Sequence, residues 1–317
     1  MIEHGKERPL VTVLMPVYNS PDVMASVDSV LRQDYDGIEF ILIDDHSQNF
    51  SAGDLRAYLE KYAGRNIRSW RVVENSQNLG LVKTLNIGIR LSTGEILFNL
   101  AGDDLFADES VLRDWVRAFR ETGAIVITGV RENYDRDFSR RTGVSPDMRQ
   151  RNWLRALSPA ELFERISMDN FLSGCCTAYT RKFFEKFGLY DERYRLIEDF
   201  PTTLRYLRQG GQITFFERTV IKYRDGGISS AGRISDDYRR DIHAIYENEI
   251  IPYTKYPRRA RNWLRRWERD IVFDRKYLKM MEKYGQIGTL RIPLKVWYYL
   301  HHPRQAARKI MRRQRNA

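Results

Sequence analysis

Two adjacent aspartates, Asp103 and Asp104, follow the apolar residues Ile96, Leu97, Phe98 and Leu100, with Gly102 just before them. A short apolar run bounded by glycine reads as a buried strand. Carboxylates at the carboxyl end of a strand suit a metal and a phosphate. Ligands of open α/β sheets sit outside those ends, and Mg²⁺ or Mn²⁺ is held by one or two carboxylates plus substrate phosphate oxygens. The competing reading is a solvated turn capping the next helix. A second pair, Asp44 and Asp45, ends the apolar run 40–43 in the same way. A third acidic pair, Glu198 and Asp199, stands near the start of a helical pattern at 197–207, where the helix dipole favours acids and capping alone accounts for them. Arg224 opens a glycine turn, Asp225-Gly226-Gly227, and supplies a cation that attracts anions.

The elements that must position these groups alternate along the chain. Residues 11–17 form a continuous β-branched and apolar run of the kind buried on both faces of a parallel sheet. Val23, Val27, Val30 and Leu31 then fall at helical spacing over 22–33, and 40–43 is a second buried strand. A helix at 54–62, a strand at 68–73, a helix at 81–91 and the strand before Asp103 follow, then a helix at 109–120 and a strand at 125–130. Such alternation predicts βαβ units and an α/β fold with a mostly parallel central sheet. Residues 131–155 are polar, charge-dense and weakly periodic, and are expected as a long loop. Strands at 173–179, 213–216 and 220–223 and a helix at 181–187 complete this part. No GxGxxG follows a strand and no P-loop signature occurs, so any phosphate is held by a metal and basic side chains.

At 317 residues and 42% apolar content, the chain can fill one large α/β core and a smaller appendage. Its net charge of +11 is unevenly spread. Residues 255–317 carry 19 Lys and Arg against 4 Asp and Glu, leaving 34 against 38 before them. The basicity therefore belongs to the C-terminal part. The two cysteines, Cys175 and Cys176, are sequence neighbours, which rarely bridge each other, and read as buried thiols of a reducing compartment. No apolar stretch approaches the roughly 18 residues of a membrane span, and Pro16 interrupts the N-terminal apolar segment, which argues against a signal peptide. A cytoplasmic protein is expected.

Taken together, VTVLMPVYN, FILIDDHS, NLGLVKTLNIGI, TGEILFNLAGDDLF, SGCCTAYTRKFFEKFGLYDERYRLIEDF and YRDGGIS resemble, in order and spacing, the family 2 glycosyltransferases of GT-A fold. The resemblance covers roughly residues 10–230 and extends to bacterial surface-polysaccharide sugar transferases. It implies an inverting sugar transfer from a nucleotide-diphosphate donor, usually UDP-linked, with Mn²⁺ or Mg²⁺. Carried over by position, Pro16, Val17 and Tyr18 line the nucleoside pocket and Asp44 hydrogen-bonds the base. Asp103 falls on the last aspartate of the metal-binding DxD motif, with Asp104 beside it. Asp199 falls on the general base, and Arg224 on a basic residue that approaches the diphosphate. Ala101 replaces the first aspartate of DxD, His46 a usual glycine, and Leu85 a usual arginine, with Lys83 nearby as its substitute.

The resemblance implies a GT-A catalytic domain over 1–230, with a nucleotide-binding half to about 130 and an acceptor half at 131–230. Residues 231–317 are expected as a helical, basic extension. In it Leu264, Trp267, Ile271, Leu278 and Met281 fall at helical spacing, an aromatic-rich helix is expected from Ile292, and Arg304, Arg308, Lys309, Arg312, Arg313 and Arg315 follow. Such a segment either packs on the domain or rests on an anionic membrane surface, which would bring a lipid-linked or glycan acceptor within reach on the cytoplasmic face of the inner membrane. No nucleic-acid module accompanies the charge, so nucleic acid is not the expected partner. The rival to an enzyme is a non-catalytic nucleotide-sugar-binding or scaffold protein on the same fold. A nucleotidyltransferase would want a glycine-rich basic loop where Tyr18-Asn19-Ser20-Pro21 stands.

Overall fold

The run Val11–Val17 forms β1, which pairs in parallel with β2 (Ile38–Asp44) on one side and β4 (Ile96–Asn99) on the other. β2 in turn pairs in parallel with β3 (Ile67–Glu74). Helices α1 (Val23–Leu31), α2 (Ala52–Tyr62) and α3 (Leu81–Leu91) connect these strands, as their apolar spacing predicts. The computed structural model describes residues 8–20, 22–135, 137–224 and 234–284, with side chains described as far as 271.

Alternation along the strands decides which helix each residue meets. Val11, Val13, Met15 and Val17 join Phe40 and Leu42 in one buried cluster with Val27 and Val30 of α1 and Leu55 and Leu59 of α2. Leu14 and Ile43 point the other way, toward α3, where a Cβ on Gly88 would lie 2.7 Å from Ile43 Cδ1. Only glycine lets α3 lie this close to the sheet. α4 (Val111–Thr122) buries Trp115 edge-on between Phe98 and Phe216, with ring centroids 4.8 and 5.7 Å away. It ends at Gly123 in the left-handed conformation, φ 63°, a common helix stop.

The second half departs from the expected pattern. Its elements are β5 (Leu105–Phe106), β6 (Val126–Tyr134), β7 (Arg141–Ser145), α5 (Met148–Ala156), α6 (Pro159–Ile166), β8 (Thr177–Thr180), α7 (Arg181–Phe187), α8 (Asp199–Arg208), β9 (Thr214–Arg224), α9 (Asp236–Ile245) and α10 (Pro257–Tyr284). The sheet runs β3-β2-β1-β4-β8-β6-β9-β5, with β7 on β6. β8 is antiparallel to both β4 and β6, and β5 to β9, so antiparallel pairs join the parallel set β3-β2-β1-β4 and the parallel pair β6–β9 in one sheet.

The long loop expected at 131–155 is instead the end of β6, a hairpin into β7, and α5. Half-buried strands carry polar residues on their wet face, which hides them from an apolar pattern; here Arg141 pairs with Glu132 across the hairpin at 2.8 Å. α5 opens with a capping box, Asp147 and Gln150, a helix-start pattern legible in sequence. The two strands expected at 213–216 and 220–223 are one continuous strand, β9, whose pairing with β6 shifts register near Val130. The strand expected from Ser173 begins only at Thr177, because Gly174–Cys176 form a 3₁₀ turn.

The chain divides into compact units Met1–Ala260 and Arg261–Ala317. α9 and the following π turn, Tyr246–Ile250, thus belong with the sheet, beyond the boundary expected at 230. α10 is helical through Asp274, and Trp263 and Trp267 stack one turn apart with centroids at 6.1 Å. The helix expected from Ile292, the arginines 304–315 and the glycine turn 225–229 lie outside the described residues. No described helix is long and apolar enough to cross a membrane.

Candidate active site

Parallel pairing carries β1, β2 and β4 to the same sheet edge, and short loops clasp their ends. Val17 is opposite Asp44 in the β1–β2 register. The Asn19 main-chain N–H donates to Ser47 Oγ at 2.7 Å, and Gln48 N–H donates to Asn19 Oδ1 at 2.9 Å. Gly102 N–H donates to the Pro16 carbonyl at 3.1 Å, and Ser20 Oγ–H to the Gly102 carbonyl at 2.6 Å. Pro16, Val17, Tyr18, Asp44 and Asp103 are therefore gathered at one edge. Tyr18 is exposed and Pro16 half-buried, whereas Val17 is buried and can act only as backing.

The two aspartates after β2 have separate roles. Asp44, as buried as Asp45, accepts from Ser47 N–H at 3.0 Å within the turn that follows β2. Asp45 turns inward and accepts from Asn75 Nδ2–H at 2.9 Å and from the Leu79 and Gly80 N–H groups at 2.8 Å each. It ties the strand end to the loop that starts α3. Asp45→Ala leaves three donors unmet in a buried place, and unfolding titrations are expected to show a loss of about 3 kcal/mol. A loss below about 0.5 kcal/mol, the range of ordinary surface substitutions, would show that water replaces the carboxylate there.

Asp103 and Asp104 also diverge. Asp103 is half-buried; burial raises its pKa and the Arg224 charge acts against that. Asp104 is 1% exposed and accepts from Arg224 N–H at 3.2 Å. Burial, then Cys175 and Asp103, push its pKa well up. Of the expected metal pair, Asp103 alone is set at the edge, and Asp104 is held as part of the floor. Among the described residues no cluster of three or more His, Cys, Asp or Glu is placed to hold a metal. The donor set fits an ion that takes one carboxylate and completes its shell with phosphate oxygens and water, as Mg²⁺ and Mn²⁺ do.

Asp199, the first residue of α8, accepts from Gly174 N–H at 2.8 Å and from its neighbour Phe200 N–H at 2.6 Å. Burial raises its pKa, and these two donors restrain the rise. Beside it, burial and then the Asp199 charge push Glu198 up to about 8. Glu198 is thus neutral in the fold where it would be ionised in an unfolded chain. The stabilisation from a raised carboxyl is complete below the ordinary carboxylate range and is lost as pH rises toward 8. Glu198→Gln is therefore expected to gain thermal stability over the parent between pH 5 and pH 8. Parallel pH profiles of the two proteins would contradict it.

Arg131, near the middle of β6, was not singled out in the sequence because it fell in the expected loop. Its guanidinium lies 4.3 Å from the centre of the Tyr223 ring, and its Nε has no hydrogen-bond partner among the described residues. Burial lowers its pKa, but Cys175, Cys176, Tyr223 and Asp104 more than offset this. The same charge favours ionisation of both Asp104 and Asp199. The sheet end and the start of α8 thus share one electrostatic site, with Arg131 acting on both.

Two expected cations are differently engaged. Arg224 pairs with Asp22 and lies 4.5 Å over the Phe138 ring, so its charge is already partnered. Lys83 is exposed on α3 and acts on Glu192. Leu85, where the family's arginine is expected, is buried. His46 occupies a left-handed turn position, φ 66°. A cavity of about 530 Å³ lined by Gln33, Asp108, Ser110 and Lys222 contains none of these groups, and its Gln33 and Asp108 are already bonded within the fold.

The sequence and the fold match known proteins. The model of Glycosyl transferase family 2 matches residues 12–188. The uncharacterized glycosyltransferase EpsJ of Bacillus subtilis is 30% identical over 220 residues, 68% of this chain and 61% of EpsJ. Glycosyltransferase GlyG of Streptococcus pneumoniae is 25% identical over 252 residues, 76% of this chain and 79% of GlyG. This chain thus spans less than two thirds of the length of EpsJ. Among solved structures, the mannosyltransferase PcManGT of Pyrobaculum calidifontis, in complex with GDP-Man and Mn²⁺, superposes with a TM-score of 0.60 at 19% identity, covering 93% of this chain and 85% of that one. S. aureus TarS 1–349 in complex with UDP-GlcNAc gives 0.58 at 17% identity, covering 92% and 79%. Those two likenesses show a shared GT-A fold. The match over residues 12–188 settles the family: this chain belongs to glycosyl transferase family 2.

Proposed function

We propose that this chain is an inverting glycosyltransferase that moves a sugar from a nucleotide-diphosphate donor, a UDP-sugar in the first instance, to a hydroxyl of a lipid-linked or glycan acceptor. The observation that carries the reading is the Asp199 carboxylate. Two main-chain N–H groups aim it, and Arg131 links it electrostatically to Asp104, the buried neighbour of Asp103. Asp199 takes the proton of the acceptor hydroxyl while that oxygen bonds to the anomeric carbon. The bond from that carbon to the diphosphate breaks, and the nucleoside diphosphate leaves with the electron pair. One displacement inverts the centre, so no second carboxylate nucleophile is required.

Pro16, Val17 and Tyr18 flank the nucleoside, and Asp44 receives its base. Asp103 would hold Mn²⁺ or Mg²⁺, which would supply positive charge toward the diphosphate. Arg224 adds its cation by exchanging Asp22 for phosphate, whereas Lys83, exposed beside Glu192, attracts the donor from outside. Assembly of a bacterial surface polysaccharide such as O-antigen, capsule or exopolysaccharide at the cytoplasmic face of the inner membrane is the setting, with residues 231–317 toward an anionic membrane surface. A screen of UDP- and GDP-sugars with Mn²⁺, reading release of the nucleoside diphosphate, tests the function. Release above that of Asp199→Asn supports it. Equal, background release from every donor would favour a binding or scaffold role.

A further inference from the structure

Residues 250–267 contain no Asp or Glu, but six Lys or Arg and four aromatics, Tyr253, Tyr256, Trp263 and Trp267. The first part of this run, at 253–259, is a turn entering α10. Tyr253 is 56% exposed and Tyr256 54%, two of the few large apolar side chains left open to solvent among the described residues. Lys255, Arg258 and Arg259 between and after them are exposed; the Lys255 charge acts on Glu161 of α6. Two exposed tyrosines among exposed cations form the chemistry of a bilayer interface, with rings at headgroup depth and cations on lipid phosphates.

The turn is also held firmly. Thr254 Oγ–H donates to Glu164 Oε2 at 2.6 Å, and Lys255 N–H to Glu164 Oε1 at 2.8 Å, fixing it on α6. On the other side Arg208 lies 3.8 Å over the Tyr253 ring while its guanidinium donates to the Glu249 carbonyl at 2.7 Å and to Glu249 Oε2 at 2.8 Å. Arg208 ends α8, the helix that begins with Asp199. Ten helical residues span about 15 Å. The turn and the candidate base are therefore two ends of one rigid strut.

We infer that the turn at 253–259 seats the protein on an anionic lipid bilayer, with Tyr253 and Tyr256 in the headgroup layer and Lys255, Arg258 and Arg259 against lipid phosphates. α8 then sets the height of Asp199 above that surface, within reach of a hydroxyl carried on a lipid headgroup. This inference rests on the proposed transfer to a lipid-linked acceptor for its purpose, and its test is independent of turnover.

The full chain is sedimented with vesicles of phosphatidylcholine alone or mixed with phosphatidylglycerol, at about 0.1 M salt, where charges are screened beyond about 10 Å. Binding only to the mixed vesicles is expected. The triple variant Lys255→Glu, Arg258→Glu, Arg259→Glu should lose on the order of 100-fold in partitioning, and Tyr253→Ser with Tyr256→Ser should weaken it several-fold. UDP titration of the same variants should match the parent, which separates lost docking from lost folding or a failed functional reading. Partitioning of the triple variant equal to the parent would overturn the inference. So would preference of the parent for a short DNA duplex over mixed vesicles at the same salt.

Discussion

Asp199→Asn is expected to lower kcat by about 10³, within the usual range for loss of a general base. That corresponds to about 4 kcal/mol of lost transition-state stabilisation. The substitution keeps the shape of the side chain at the start of α8 and removes only its capacity to take a proton. The Gly174 and Phe200 N–H groups donate to different carboxylate oxygens, so the single amide oxygen keeps one of these bonds and the side chain stays in place at the helix start. Nucleotide affinity should therefore stay at the parent's value, and the loss should fall on kcat alone. Turnover by Asp199→Asn at the parent's rate would remove Asp199 from the chemistry and return its carboxylate to helix capping.

Gly174→Ala is expected to lower kcat by about 100-fold without unfolding the protein, the scale at which a misplacement of about 1 Å acts. A Cβ there would lie 2.3 Å from Glu198 Oε1 and 3.4 Å from the Asp199 Cβ. Real Cβ atoms do not approach so closely, so Glu198 must move. It is buried beside Asp199, and displacing it shifts the hydrogen bond that Gly174 N–H gives the candidate base. Steady-state kinetics beside a melting curve checks this. An unchanged kcat would mean that Glu198 yields without moving Asp199, and that the glycine serves the 3₁₀ turn alone.

β1, β2 and β4 were legible because they are buried on both faces, and such strands are written as unbroken apolar runs. α3 matched its expected bounds, 81–91, for the related reason that its apolar face repeats cleanly. The second half was harder because β6, β7 and β9 keep one face partly wet. Polar residues at Arg131, Glu132 and Asn133 then read as loop, and the strand that carries Arg131 into the site disappeared with them.

Among the candidate site residues, type and local order singled out Asp44, Asp103 and Asp199, which stand at element ends where sequence patterns change. They could not separate Asp44 from Asp45, since only the folded loop at 79–80 shows which carboxylate turns inward. Nor could they show that Arg224 is already partnered by Asp22, or that the Lys83 charge acts on Glu192, because both depend on the nearness of segments far apart in the chain. Gly174 gave no signal for the same reason: its meaning lies in the nearness of Glu198.

The central claim, a metal-assisted nucleotide site centred on Asp103, is tested most directly by calorimetric titration of UDP into the parent and Asp103→Ala, with and without Mn²⁺. Binding by the parent that strengthens with Mn²⁺, and loss of that Mn²⁺ dependence in Asp103→Ala, is the expected result. Identical titrations of the two proteins, or no UDP binding by the parent under either condition, would contradict it.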